Sequence, residues 1–170
     1  MTRNLTVGEQ IVLLALDEQS GKLREVELRV ALAVAAAGLL EEGRAEEASR
    51  KVLLAAREAA LDAAFQGLVE KGIVSEQGRR VLGAFGSVKH PVIDSTQLVA
   101  LKTRISAVLV EGQEPDEETA ALITLLRHSG LTSALPSGGE DVTQEQAAAL
   151  GDTVRSTVNT LAAVIAATAV

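Results

Sequence analysis

The 170-residue chain has no cysteine, tyrosine or tryptophan, and only two phenylalanines. The absence of cysteine excludes disulfides, thiolate nucleophiles and cysteine-bound metals, and it suits a reducing compartment. Because aromatic rings are so scarce, the core has to be built from alanine, leucine, valine and isoleucine. Alanine at high frequency favours helices and close helix packing. The length fits one domain, and we expect a single domain over residues 1–170.

Long apolar runs are also missing. The two longest, residues 30–40 and 161–170, fall short of the roughly 20 residues that a membrane-spanning helix needs. The N-terminal MTRNLTVGEQ has no apolar stretch behind a basic start, so it does not read as a signal peptide. We therefore expect a cytoplasmic protein, either free or peripheral on the cytoplasmic face of a membrane.

The charge is negative overall but unevenly distributed. A net charge of −7 argues against general nucleic-acid binding. Residues 71–110 nevertheless carry six basic and two acidic side chains, a charge of +4, whereas the segments on either side are negative. Such asymmetry is typical of a contact surface. The alternative is that these charges only solvate a loop and one helix face.

The hydrophobic pattern predicts a mainly α-helical fold. Predicted helices cover residues 6–17, 25–42, 45–71, 96–110 and 117–129, and a final helical stretch runs towards residue 170. Residues 30–40 are apolar on nearly every side, so we expect the second helix to be central and buried. Thr6 and Glu9 have capping-box spacing, and Glu46–Arg50 is an i,i+4 ion pair in the favourable order.

One small β-hairpin is predicted between the third and fourth helices. Ile73–Val74 and Val81–Phe85 are short apolar segments on either side of SEQGRR, and they read as its two strands. Gly83 and Gly86 suggest a bend or bulge in the pairing. This hairpin lies within the only basic part of the chain.

Catalytic chemistry is not indicated. His90 and His128 lack partners at metal-ligand or triad spacing, and His128 suits the last turn of a helix, where a cation is favourable. The sequence has no G-x-x-x-x-G-K-[ST], G-x-G-x-x-G or H-E-x-x-H motif. No nucleophile, base and orienting group occur together. We predict a protein that is not an enzyme and uses no cofactor or metal.

Three stretches together resemble the Golgi phosphoprotein 3 family, in its bacterial, actinobacterial type. They are LTVGEQIVLLALDEQSGKL, LVEKGIVSEQGRRVLGAFGSVKHPV and EPDEETAALITLLRHSGLTSALPS, and they occur in the family's order. The resemblance implies a helical bundle around a buried central helix, with a small hairpin outside it. The family segment between residues 44 and 52 is shortened in this chain.

The resemblance also implies a function. Eukaryotic members are non-enzymatic peripheral membrane proteins that bind phosphatidylinositol 4-phosphate and engage cytosolic tails of glycosyltransferases. Their headgroup pocket uses a tryptophan and three arginines. This chain has no tryptophan, and the matching arginine positions hold Ala31 or Leu32, Glu58 and Leu61, with Arg57 one residue away.

We therefore place the candidate lipid site at the hairpin, where basic donors for a phosphorylated headgroup flank an apolar tip that can enter the membrane interface. The candidate headgroup ligands are Arg79, Arg80, Lys89 and His90, with Lys71 and Arg57 behind them, and the apolar hairpin residues are Val81, Leu82 and Phe85. The expected partner is an anionic phospholipid, a phosphoinositide by resemblance. The alternative is a protein-interaction or oligomerisation module whose hairpin packs on a partner or a second subunit.

Overall fold

The computed structural model describes residues 4–78 and 88–135, together with residues 156, 157, 159–161, 163, 164 and 167. The helices are α1 (Val7–Ala15), α2 (Glu27–Glu41), α3 (Arg50–Glu70), α4 (Thr96–Leu109) and α5 (Glu117–His128), with short 3₁₀ turns at Ala45–Glu47 and Thr132–Ala134. The described positions from 156 to 167 are also helical. The protein is mainly helical, as the sequence predicts.

Helix α2 is the central helix, as predicted. Every residue from Val30 to Ala37 is buried, and α2 packs mainly against α1 and α3. The small alanine side chains allow the neighbouring backbones to approach closely. Helix α1 is equally enclosed, since all nine of its residues are buried. The core is completed by leucines and valines of the other helices, including Leu161 and Val164 near the C-terminus.

The first helix begins where the capping signal places it, but only half of the predicted capping box forms. The Thr6 hydroxyl accepts a hydrogen bond from the Glu9 amide at 3.1 Å. The Glu9 carboxylate does not complete the box by reaching back. It instead accepts a hydrogen bond from Lys71 Nζ at 2.5 Å. The local sequence pattern assigns the Glu9 side chain to the helix cap, but this side chain makes a tertiary contact with Lys71 instead.

The third helix begins later than predicted. Ser49 adopts an extended conformation, with ψ at 165°, and its hydroxyl accepts a hydrogen bond from the Val52 amide. Helix α3 therefore begins at Arg50, and the predicted helical ion pair between Glu46 and Arg50 does not form within one helix. At the other end, the Ile73 amide donates to the Leu68 carbonyl at 3.0 Å, which is the Schellman ending typical of a glycine at C′.

The predicted β-hairpin is not seen. The described residues contain no β-strand, and their only pairings beyond α3 are isolated antiparallel bridges, Val74 with Val92 and Gln77 with Lys89. Ile73–Val74 thus pairs with the segment that follows the basic stretch, because Pro91 and the turn at Gly21 hold that segment extended against the bundle. The second predicted strand, residues 81–85, lies outside the described residues.

Candidate functional site

The proposed lipid site is only partly within the described residues. Arg79, Arg80 and the apolar hairpin residues Val81, Leu82 and Phe85 lie outside them. The four others, Arg57, Lys71, Lys89 and His90, are described, and they occupy three separate places on the bundle. The surroundings of the side chains differ from one place to the next.

Lys89 lies at the base of the basic stretch and is exposed. Its amide donates to the Gln77 carbonyl at 2.7 Å, and its carbonyl accepts from the Gln77 amide at 2.8 Å. Because these two residues are paired, the chain that leaves Gln77 returns to the same place at Lys89. Arg79 and Arg80 belong to this closed segment by sequence.

His90 is buried and anchors the same segment to the bundle. Its ring stacks on Phe65 of α3, with centroids 4.2 Å apart and planes 23° apart. Its amide donates to the Gly21 carbonyl at 2.8 Å. Gly21 has a φ of +68°, and a β-carbon there would lie 2.3 Å from the Pro91 nitrogen, so only glycine fits at this contact. His90 therefore has a positioning role in this fold.

Lys71, at the end of α3, forms an ion pair with Glu9 of α1. Its Nζ donates to Glu9 Oε2 at 2.5 Å and to the Asn4 carbonyl at 3.0 Å. Glu9 is only 6% exposed, so its charge requires this partner. Lys71 thus neutralises a buried carboxylate, and its role in binding a headgroup stays a prediction.

A second carboxylate lies beside this ion pair. Glu41, at the end of α2, accepts a hydrogen bond from the Val7 amide at the first turn of α1. Partial burial raises the pKa of Glu41, and the nearby charges of Glu118 and Glu9 raise it further, whereas the Val7 hydrogen bond and the charge of Lys71 oppose the shift. Three carboxylates therefore lie near the first turn of α1. They belong to Glu9 of α1, Glu41 of α2 and Glu118 of α5.

Arg57 faces a cavity between α2 and α3. The cavity has a volume of about 430 Å³ and is lined by Glu27, Leu28, Ala31, Arg57, Glu58, Leu61 and Asp62. Ala31, Glu58 and Leu61 occupy the positions that match the family's arginines, and all three line this one cavity. Leu32, the alternative match, is fully buried and does not line it.

A neighbouring cavity of about 480 Å³ continues along the same face of α3 as far as His90. It shares Glu27, Leu61 and Asp62 with the first, and its other lining residues are Gly21, Lys22, Leu23, Glu25, Phe65, Val88 and His90. We call the two cavities together the α2–α3 groove.

The α2–α3 groove is acidic at its rim. Its lining residues include four carboxylates, those of Glu25, Glu27, Glu58 and Asp62, and two cations, Lys22 and Arg57. With His90 neutral, the formal charge is −2. Sequence reasoning did not single out Glu27, Asp62 and Phe65, although the i,i+4 spacing of Glu58 and Asp62 places both on one face of α3. Their meeting with Glu27 depends on how α2 packs against α3.

Other site classes find no support in the described part of the chain. No group of three histidine or acidic side chains there is arranged to hold a metal ion. No helix among the same residues is long and apolar enough to cross a membrane.

Comparison with known protein families identifies the class of protein. Residues 40–169 match the family model of Golgi phosphoprotein 3 (GPP34). The match covers most of the chain, so this protein belongs to the Golgi phosphoprotein 3 family. No curated protein matches the chain in a sequence comparison.

Proposed function

We propose that this protein is a non-enzymatic peripheral membrane module, which meets an anionic phospholipid surface with the basic segment from Arg79 to Lys89. The observation that carries the proposal is the backbone pairing of Gln77 with Lys89, which closes this segment at its base. The segment lies in the only stretch of the chain with a positive charge. Family membership supports a Golgi phosphoprotein 3-like role.

Long-range attraction to anionic lipid would supply most of the binding. Each basic residue near an anionic surface contributes about 1 kcal/mol, and the attraction decays within a Debye length. Lys89 is exposed, and Arg79 and Arg80 are its basic neighbours in the segment. Val81, Leu82 and Phe85 supply apolar side chains that can enter the membrane interface.

The headgroup specificity of the eukaryotic family does not transfer directly. A phosphoinositide needs several Arg or Lys donors around its phosphates. The α2–α3 groove offers Arg57 among several carboxylates, and Lys71 is occupied by Glu9. We therefore propose that binding follows the charge of the membrane surface, with His90 positioning the segment and Arg57 outside the contact.

Vesicle cosedimentation tests this function. Neutral phosphatidylcholine vesicles are compared with vesicles that add phosphatidylserine or, at matched charge, phosphatidylinositol 4-phosphate. We expect binding to both anionic surfaces, loss of binding in high salt, and weaker binding by the Arg79→Ala/Arg80→Ala variant. The matched control is Arg50→Ala/Lys51→Ala, which removes two exposed charges from α3.

Two outcomes would contradict the proposal. Absence of binding to either anionic vesicle at low salt would remove the membrane role. Equal weakening by the Arg79/Arg80 and Arg50/Lys51 variants would show that only the net charge matters, and that the basic segment is not the contact.

A second candidate function is a protein-interaction or oligomerisation module. Ile93, three residues before α4, is 63% exposed, Val99 in its first turn is 58% exposed, and Val110 at its end is 63% exposed. A contiguous exposed patch of apolar side chains is typical of a protein-interaction site. Sedimentation velocity would favour this function if the protein forms a dimer that Val99→Asp dissociates.

A further inference from the structure

Another cavity lies where α1, α4 and α5 meet, and the membrane role proposed above does not use it. Its volume is about 320 Å³, at the lower end of the range for small-molecule sites. It shares no lining residue with the α2–α3 groove, and none of its residues belongs to the basic segment. We call it the α1–α4–α5 cavity, and its lining includes Leu5, Gln10, Gln97, Leu101, Arg104 and Glu118.

We propose that the α1–α4–α5 cavity binds a free α-amino acid with an apolar side chain. Such a molecule is a zwitterion, with a carboxylate and an ammonium attached to one carbon atom. Among the described residues that line the cavity, the charged ones are a cation, Arg104, and an anion, Glu118. The cavity therefore offers each end of the zwitterion a partner of opposite charge, and the proposal does not depend on the membrane role.

Gln10 holds these two charged side chains beside each other. It is only 3% exposed, and its Oε1 accepts a hydrogen bond from Arg104 Nη2 at 2.9 Å. Its Nε2 donates to Glu118 Oε1 at 2.7 Å and to the Leu5 carbonyl at 3.1 Å. Because the amide uses its oxygen and both of its N–H groups, its orientation is fixed. Within the described residues, Arg104 and Glu118 form no ion pair with each other, so the amide separates two opposite charges in one cavity.

Arg104 is the partner for the carboxylate. Gln10 is the only hydrogen-bond partner of the Arg104 side chain in the described part of the chain, although a guanidinium has five N–H donors. The Arg104 Nε is buried without a partner, and an unpaired buried donor costs free energy that a nearby anion would offset. Asp116 interacts with Arg104 through charge alone. The planar guanidinium fork matches the two oxygens of a carboxylate.

Glu118 is the partner for the ammonium. Its Oε1 accepts from Gln10, and its Oε2 accepts no hydrogen bond from any residue that the structure describes. An ammonium has three donors and no acceptor, so a charge-assisted hydrogen bond to this oxygen suits it. The charges of Glu118 and Glu41 also repel each other. A cation beside Glu118 would reduce that repulsion.

The remaining lining favours an apolar side chain of moderate size. Leu5 and Leu101 are buried residues of the core, and Ala100 adds a small apolar surface between the polar groups. The Gln97 amide lies in the same lining and can donate to a carboxylate oxygen. A charged amino-acid side chain would find no third charged partner among these residues. We therefore choose L-leucine as the probe.

The first test is a calorimetric titration of the whole protein at neutral pH with L-leucine and two analogues. Leucinamide lacks the carboxylate, and N-acetyl-L-leucine lacks the ammonium. We expect saturable binding of leucine, and binding of each analogue about tenfold weaker or more, because each loses a charge-assisted hydrogen bond. Amide NMR should place the shifts at residues 4–10, 97–104 and 118.

Two variants test the assigned partners. Glu118→Gln keeps an oxygen that can accept from Gln10, and Arg104→Met keeps an apolar stem, yet each should bind leucine about tenfold more weakly. The matched controls are Glu117→Gln, at the adjacent exposed position, and Lys102→Met, an exposed cation of the same helix as Arg104. Both controls should bind leucine like the wild type. Thermal unfolding without ligand checks that each variant is folded, and Glu118→Gln changes an exposed residue, so it tests the site even where Arg104→Met fails to fold.

Three results would overturn the proposal. The first is the absence of saturable leucine binding. The second is equal affinity for an analogue: equal binding of N-acetyl-L-leucine would make the cavity a carboxylate site, suited to the C-terminus of a peptide, and equal binding of leucinamide would make it an amine site. The third is leucine affinity that Glu118→Gln leaves unchanged. Vesicle binding, which reports the proposed function, should be the same with and without leucine, so either idea can fail while the other stands.

Discussion

Lys71 at the end of α3 and Glu9 in α1 form an ion pair at 2.5 Å, across 62 positions of sequence. Glu9 is almost fully buried, and a β-carbon at Gly67 would lie 2.5 Å from its Oε1. Helices α1 and α3 therefore contact each other around a charged side chain. Lys71, which the sequence places in a basic contact surface, therefore also neutralises a buried carboxylate.

Replacement of Lys71 by methionine tests this structural role. Methionine keeps the apolar stem but leaves the Glu9 carboxylate without its cation. We expect a loss of about 2–3 kcal/mol in the free energy of unfolding, the effect of removing a hydrogen bond to a charged group. Urea denaturation measures it. Vesicle binding should be nearly unchanged, in contrast to the Arg79/Arg80 variant.

Lys51→Met is the matched control for that change. Lys51 is exposed in the first turn of α3, so its loss should alter stability by less than about 0.5 kcal/mol. Equal stability of the Lys71→Met protein and the wild type would contradict the role of the ion pair.

Gly21→Ala is expected to detach the segment at His90. Gly21 and Gly43 have nearly the same φ, +68° and +69°, in the left-handed region. A β-carbon at Gly21 would collide with the backbone of His90 and Pro91, whereas one at Gly43 has nothing within 4 Å. Gly43→Ala should therefore cost about 1 kcal/mol from the left-handed conformation alone. Gly21→Ala should cost clearly more.

Thermal denaturation compares the two glycine variants, and hydrogen exchange at residues 88–92 localises the effect. Faster exchange should appear in Gly21→Ala and not in Gly43→Ala. Equal destabilisation by both substitutions would mean that the contact between Gly21 and Pro91 contributes nothing beyond conformation.

The pH dependence of stability should report Glu41. Burial raises the pKa of Glu41 in the folded protein above its usual value of 4.5. The folded state therefore holds this proton more tightly than the unfolded state. The resulting stabilisation is complete below the unfolded pKa and is lost as the pH rises through the raised folded pKa. Glu41→Gln should gain stability relative to the wild type across that interval.

Denaturation at a series of pH values from 4 upwards, about 0.5 apart, measures the difference between Glu41→Gln and the wild type. Glu46→Gln removes one negative charge from an exposed site and serves as the control. A difference that is constant with pH would contradict a raised pKa for Glu41.

Asp116 should produce a pH dependence of opposite sign. Its carboxylate accepts a hydrogen bond from the Thr119 amide at 2.7 Å and caps α5, and the Thr119 hydroxyl and amide beside it lower its pKa. The stabilisation is present above the unfolded pKa of about 3.8 and is lost as the pH falls through the lowered folded value.

Asp116→Ala should cost about 1 kcal/mol at neutral pH, the usual effect of losing an N-cap. The cost should shrink as the pH falls below the usual aspartate range. Glu117→Ala, in the next position and exposed, provides the comparison. A cost that persists at low pH would show that the capping hydrogen bond does not depend on the charge.

Much of the fold follows from local signals in the sequence. Thr6 caps α1 and Gly72 follows α3, because capping hydroxyls and left-handed glycines act within a few residues of the chain. The apolar run at residues 30–40 identified the central helix, because a helix that is apolar all round has to be buried. The start of α3 was predicted too early, at residue 45. The spacing of Glu46 and Arg50 indicated an ion pair within one helix, but Ser49 caps the helix and it begins at Arg50.

The candidate site depended on tertiary structure. Local sequence does not reveal that Lys71 pairs with Glu9, that Lys89 pairs with Gln77, or that His90 stacks on Phe65, because each partner comes from another part of the chain. The sequence by itself determined helices α1 to α5, their ends except the start of α3, the buried α2 and the basic segment. Only the packing of α2 against α3 decided that Glu27 and Glu58 line the same cavity, because the charge of a groove is set by side chains that meet across two helices.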